Sequence, residues 1–143
     1  MASPDRGSVG SVRGVLLDTS VLVEIERGTL DPEMALTGED GPFEIAVAAI
    51  SIAELLLGAC LASGVRAERR QAFAEHMIES YPIFQYDVAT ARHHAELLAH
   101  CRRTGTMRGD HDLIIAATAR ATGRTVLTLD RKGFEGLPDV RVR

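Results

Sequence analysis

Short runs of branched apolar residues, each leading into a stretch with helical spacing, recur along the chain and restrict it to alternating strands and helices. Val15-Leu16-Leu17 precedes Val21, Leu22 and Ile25, which repeat at helical spacing up to Gly28. Ile45 to Ile50 is a continuous run of β-branched residues and alanine, the composition of a parallel strand covered on both faces. Ser51 opens a helix toward Gly64, and a charge-rich helix follows from Arg66 to Ser80. Pro82 to Tyr86 reads as a third strand, with Asp87 capping a helix from Val88 to Arg103. Asp112 to Ala121 is a strongly apolar helix ended by Gly123. Thr125 to Leu129 reads as a fourth strand, Asp130 as the start of a turn, and Val140 to Val142 as a final edge strand. Between them, segment 28–43 is rich in Gly and Pro and reads as loop with a helical turn around Pro32 to Leu36. The alternation predicts an α/β fold with a mostly parallel central sheet and helices on both faces.

Length and composition add what such a fold can be used for. A chain of 143 residues with 45% hydrophobic and 25% charged residues makes one compact domain. Residues 1–13 carry Gly, Ser and Arg without an apolar stretch, so they read as a disordered tail rather than a signal peptide, and 14–143 as a single domain. The apolar runs are too short to span a bilayer, so no membrane partner is expected. With 20 acidic against 16 basic residues and 4% aromatics, the chain holds nucleic acid neither by bulk positive charge nor by base stacking. Nucleic-acid chemistry would have to come from a local site. All basic residues but Lys132 are arginine, which fits bidentate phosphate contacts and fits GC-rich coding equally well. Cys60 and Cys101 lie in helical segments without a second ligand and read as inert, buried apolar residues. The absence of a disulfide framework points to a reducing, cytoplasmic setting.

In an open parallel sheet the working edge is where strands end and helices begin. Four acids fall at those edges: Asp18 after the first strand, Glu54 after the second, Asp112 at the head of the apolar helix and Asp130 after the fourth strand. Each has a plain structural reading. Asp is a favoured helix N-cap, negative charge near a helix N-terminus contributes roughly 0.3 to 1 kcal/mol, and Ser51 with Glu54 forms an S-x-x-E capping box. Four independent caps, however, would mix Ser, Thr, Asn and Asp, whereas all four edges supply an acid. Gathered together these carboxylates repel unless a cation sits among them, and a hard divalent cation with oxygen ligands resolves the conflict. Mg2+, or Mn2+ in its place, would suit phosphodiester hydrolysis and would bridge an acidic protein to a polyanion.

Four blocks carry a family resemblance: Leu16-Leu17-Asp18-Thr19-Ser20-Val21-Leu22, Ile50-Ser51-Ile52-Ala53-Glu54-Leu55, His111-Asp112 through Ala119, and Thr128-Leu129-Asp130-Arg131-Lys132-Gly133-Phe134. In this order and spacing the chain resembles PIN-domain nucleases, and among them the VapC toxins of bacterial toxin–antitoxin pairs. The resemblance implies a PIN-like fold, metal-dependent endoribonuclease activity, a homodimer, and inhibition within a hetero-oligomer by a cognate VapB-like antitoxin. Asp18, Glu54 and Asp112 match the family's three main acids and Asp130 its more variable fourth; these four are the expected metal-binding and catalytic set. Ser20 matches a small hydroxyl position that supports the first acid. The chain departs from the pattern in having His111 where Asn is frequent, and in Asp110, which makes an Asp-x-Asp; Asp112 is the one in register with the apolar helix.

Ser20, Arg108 and His111 are the candidate contacts to RNA, the last also as a proton donor to the leaving oxygen, and Arg131 with Lys132 adds charge beside Asp130. Each also reads as an ordinary loop or surface residue. The remaining histidines, with His93 and His94 adjacent and His100 seven residues on, lack zinc-ligand spacing and read as a solvated helix face. Two other functions remain open: a catalytically inactive PIN-like binding module, and a small Mg2+-dependent phosphatase or phosphotransferase with an aspartyl nucleophile. Against the latter, Asp18-Thr19-Ser20 lacks a second acid and Lys132 is the sole lysine.

Overall fold

A computed structural model describes residues 14–143, so the expected tail at 1–13 lies outside the described residues. Four parallel strands form the central sheet: β1 (Gly14–Leu17), β4 (Glu44–Ala48), β5 (Ile83–Phe84) and β6 (Thr125–Leu127), in the order β5-β4-β1-β6. Val15 pairs with Ile45 on one side and Thr125 on the other, and Val47 pairs with Ile83. β1 is central and buried along its whole length, as its unbroken apolar run requires. Its alternate side chains serve two cores. Leu16 packs with Leu97, Ile115 and Phe134, whereas Val15 and Leu17 pack with Leu22, Ile52 and Met77.

The first core is covered by α5 (Val88–Thr104) and α6 (Asp110–Thr122), the second by α1 (Thr19–Arg27), α3 (Ala49–Leu61) and α4 (Gly64–Ser80). Helix punctuation follows the sequence. Asp87 Oδ1 accepts from the Thr90 amide at the start of α5, and Gly28, Gly105 and Gly123 take the left-handed conformation that ends α1, α5 and α6. The predicted turn at Pro32 is a short helix, α2 (Pro32–Ala35). A two-residue hairpin, β2 (Thr37–Gly38) and β3 (Gly41–Pro42), follows it in the segment expected to be loop. The C-terminal strand takes the form of a single parallel bridge, Val126 to Val142, reinforced by the Arg143 amide donating to the Val126 carbonyl at 2.8 Å.

Two boundaries differ from expectation in ways that shape the site. The second strand ends at Ala48 and α3 begins at Ala49, without a loop. Ser51 is therefore inside the helix and fully buried, and the N-cap is Ala48, which makes no side-chain cap bond. The capping box does not form. The fourth strand stops at Leu127, leaving Thr128 and Leu129 to turn across the sheet edge into a 3-10 turn at Arg131–Gly133. Of the two cysteines, Cys101 is buried as expected but Cys60 is exposed.

Candidate active site

The chain runs from β1 outward to β4 and β5, then returns to place β6 on the other side of β1, so the strand order reverses beside β1. The crevice at the carboxyl ends of the strands there is the place where parallel α/β sheets gather ligands. Asp18 leaves β1 directly into it, its amide held by the Leu127 carbonyl at 2.9 Å. Its side chain makes no helix-cap bond and is only 5% exposed. The carboxylate is held by hydroxyls from both flanking elements: Ser20 Oγ donates to Oδ2 at 2.7 Å and Thr128 Oγ1 to the same oxygen at 2.8 Å. Each hydroxyl in turn accepts from a turn amide, Leu129 to Ser20 at 3.1 Å and Asp130 to Thr128 at 2.9 Å. A hydroxyl has one proton, so both protons are directed to Asp18 by the amides behind them. Among the described residues Oδ1 carries no protein hydrogen bond.

Glu54 is positioned by a second hydroxyl. With α3 starting at Ala49, Glu54 falls in the second turn, on the face toward α1, where Thr19 Oγ1 donates to its Oε1 at 2.5 Å. Thr19 also lies 3.1 Å from the buried Ser51 Oγ. The other oxygen, Oε2, is 3.1 Å from His111 Nδ1, with the histidine side chain about half exposed. His111 thus joins the opening turn of α6 to α3.

Asp112 is the electrostatic centre of the group. Burial, then the neighbouring charges of Asp18, Asp130 and Glu54, push its carboxyl up from 3.8 to about 6, opposed by His111. Asp18, Glu54 and Asp130 are thus near enough to Asp112 for their charges to act on it. Asp110, two residues earlier, is exposed at the first position of α6. Gly133 backs Asp112 so closely that a Cβ there would stand 2.6 Å from Oδ2. Asp130 is exposed at the rim and makes no side-chain cap bond.

The remaining predicted contacts are placed differently from one another. Arg108 donates from Nη1 to the Lys132 carbonyl at 2.9 Å and from Nη2 to the Glu135 carbonyl at 2.6 Å, tying the turn after Asp130 to the loop before Asp112. Arg131 pairs with Glu135 at 2.9 Å. Ser20, expected both to support the first acid and to contact substrate, donates its hydroxyl to Asp18. Thr19 and Thr128 were not singled out by sequence. The available signal was symmetry: Ser20 stands two residues after the first acid and Thr128 two before the fourth, at edges the topology brings together.

Among the described residues no three His, Cys, Asp or Glu side chains converge closely enough to enclose an ion by themselves. The donor set nevertheless fits Mg2+, which binds through one or two carboxylates, keeps several waters and completes its shell from substrate phosphate. Hard oxygen donors, an Asp18 oxygen left without a hydrogen bond among the described residues, and an Asp112 carboxyl raised by burial and like charge all favour a small dication there.

The PIN domain family model matches residues 15–139. Ribonuclease VapC4 of Mycobacterium tuberculosis is 32% identical over 132 residues, spanning 92% of this chain and 97% of that one. Ribonuclease VapC of Rickettsia bellii is 27% identical over 133 residues, spanning 90% and 94%. In three dimensions the chain superposes on a protein of the DNA-bound VapBC structure from Salmonella typhimurium with a TM-score of 0.77 at 24% identity, covering 91% of this chain and 96% of that one. The four acid blocks, the reversed strand order around β1 and these likenesses agree, and the chain belongs to the PIN-domain family, among the VapC ribonucleases.

Proposed function

We propose that the protein is an endoribonuclease that hydrolyses RNA phosphodiester bonds with Mg2+ or Mn2+ held by Asp18, Glu54, Asp112 and Asp130, and that it acts as the toxin of a toxin–antitoxin pair. The observation that carries this reading is Asp18, fixed at the end of β1 by two directed hydroxyls and near enough to Asp112, with Glu54 and Asp130, for their charges to help raise the Asp112 carboxyl. When bound, the dication would polarise the phosphodiester and lower the pKa of an attacking water. The chain's own residues supply orientation. Ser20 and Thr128 lock Asp18 in one rotamer, and Thr19 does the same for Glu54. His111, paired to Glu54 and half exposed, would give a proton to the leaving oxygen. Arg108 holds the Asp130 turn in register with Asp112.

Pairing with a small antitoxin rests on the likeness to VapBC complexes, and exposed Leu57 and Leu61 on α3 leave an apolar surface suited to a partner. Purified protein is expected to cleave RNA in Mg2+, to stop in excess EDTA, and to lose at least 100-fold in rate as Asp18→Asn, in keeping with removal of a group that orients a metal-activated step. Cleavage that persists in EDTA, or an unaffected Asp18→Asn variant, defeats the reading.

A further inference from the structure

Beside the acids, two hollows adjoin between α1, α3 and the N-terminal half of α4. The inner one, about 190 Å³, is lined by Val23, Leu55 and Phe73 with Glu54 at one end. The outer one, about 470 Å³, is lined by Arg27, Arg66, Arg69 and Arg70. They share Glu26, Arg27 and Arg70, so they form one groove that starts at a candidate acid and ends among arginines. Its charge is local: four arginines against Glu26 in the outer part, on a chain of net charge -4.

These arginines are not explained by the fold. Arg66 lies in the first turn of α4, which contains no acid, and a cation there opposes the helix dipole by roughly 0.3 to 1 kcal/mol. Arg66 and Arg69 are exposed and have no carboxylate partner among the described residues. Arg70 is braced by one bond, Nη1 to the Gly58 carbonyl at 3.1 Å, which leaves most of its donors for a ligand. Arg27 has only an exposed contact with Glu24 at 3.4 Å. The arginines closer to Asp130, by contrast, are occupied by carbonyls and Glu135.

Resting on the endoribonuclease reading, we propose that this groove binds the RNA strand flanking the cleaved bond, with Arg27, Arg66, Arg69 and Arg70 on successive phosphates and Val23, Leu55 and Phe73 beneath an unstacked base. A strand whose scissile phosphate lies at the acids must leave the crevice on some side, and this side offers repeating positive charge. At 1.5 Å of rise per residue, Arg66 stands about 4.5 to 6 Å along the axis from Arg69 and Arg70, a ladder suited to a regularly charged polymer. An apolar floor with one aromatic suits a splayed base. An acidic peptide would match the arginines but has no base to cover Val23, Leu55 and Phe73.

The test is fluorescence anisotropy with a labelled, uncleavable 2′-O-methyl oligoribonucleotide in Mg2+, over a salt series. Arg66→Gln/Arg69→Gln is expected to weaken binding on the order of tenfold and to reduce the salt slope by about 1.4, two contacts at roughly 0.7 each. Arg69→Gln alone is expected to fall between, and Arg102→Gln/Arg103→Gln on α5, with the same change in net charge, to bind as wild type. Melting curves check that the surface variants remain folded. Unaltered binding by the groove pair, an equal loss in the α5 pair, or binding of polyglutamate in place of RNA overturns the groove. Wild-type protein that leaves total RNA intact in Mg2+ overturns the functional reading itself, whereas cleavage with unaltered binding by the groove pair overturns the groove alone.

Discussion

Asp112 shows how one residue records the cost of assembling the crevice. Its carboxyl is raised from 3.8 to about 6 chiefly by burial and then by three neighbouring acids, so the folded protein holds that proton more tightly than the unfolded chain. Stability of the metal-free protein is therefore expected to fall as pH rises from about 4 to 6. Asp112→Asn removes the penalty; urea denaturation in EDTA should show it about 1 to 2 kcal/mol more stable than wild type above pH 6, allowing for solvent screening, and equal to it near pH 4. The same variant should not cleave RNA. Thr128→Val tests the opposite case. It removes one of two donors to a buried carboxylate and is expected to cost about 1 to 3 kcal/mol in the same measurement, with a loss of RNA cleavage. The acids themselves were legible because each sits at the end of an apolar run or the head of a helix. Thr128 was not, because its partner lies 110 positions away and only strand order brings the two together.

Among the elements, α3 and the turn after β6 decide the geometry. Had Ser51 and Glu54 formed a capping box, Glu54 would face its own helix end. Because α3 begins at Ala49, the burial of Ser51 and the reach of Thr19 turn Glu54 toward the crevice. Local propensity favoured the cap, and packing of Ile52 and Leu55 into the core beneath α3 overrode it. In the turn, Gly133 is required by contact rather than by backbone conformation. Gly133→Ala would drive a methyl to 2.6 Å from Asp112 Oδ2 and must displace one or the other. Because the methyl meets the end of the Asp112 side chain, the expected result is weakened RNA cleavage with little change in thermal unfolding, since the displaced group is one of the four acids.

For the molecule as a whole, the excess of acids over bases is concentrated in part at one crevice, so a bound dication should stabilise the fold by mass action. Mg2+ at about ten times its dissociation constant contributes about 1.4 kcal/mol, and the melting temperature should rise by roughly 3 to 6 °C. That rise should disappear in Asp18→Asn and survive in Arg66→Gln/Arg69→Gln; a rise retained in Asp18→Asn would place the metal elsewhere. The sequence by itself determined the α/β class, the strand–helix order and the positions of four acids at strand ends and a helix head, because periodicity, punctuation and edge position are local properties. Tertiary structure decided which acid is buried, which hydroxyls hold it, that Arg108 serves the turn rather than the mouth, and that Arg66, Arg69 and Arg70 line a groove leading from Glu54. Those depend on where β6 returns beside β1 and how α4 lies against α1 and α3, and such placement is fixed by long-range packing that no window of sequence contains.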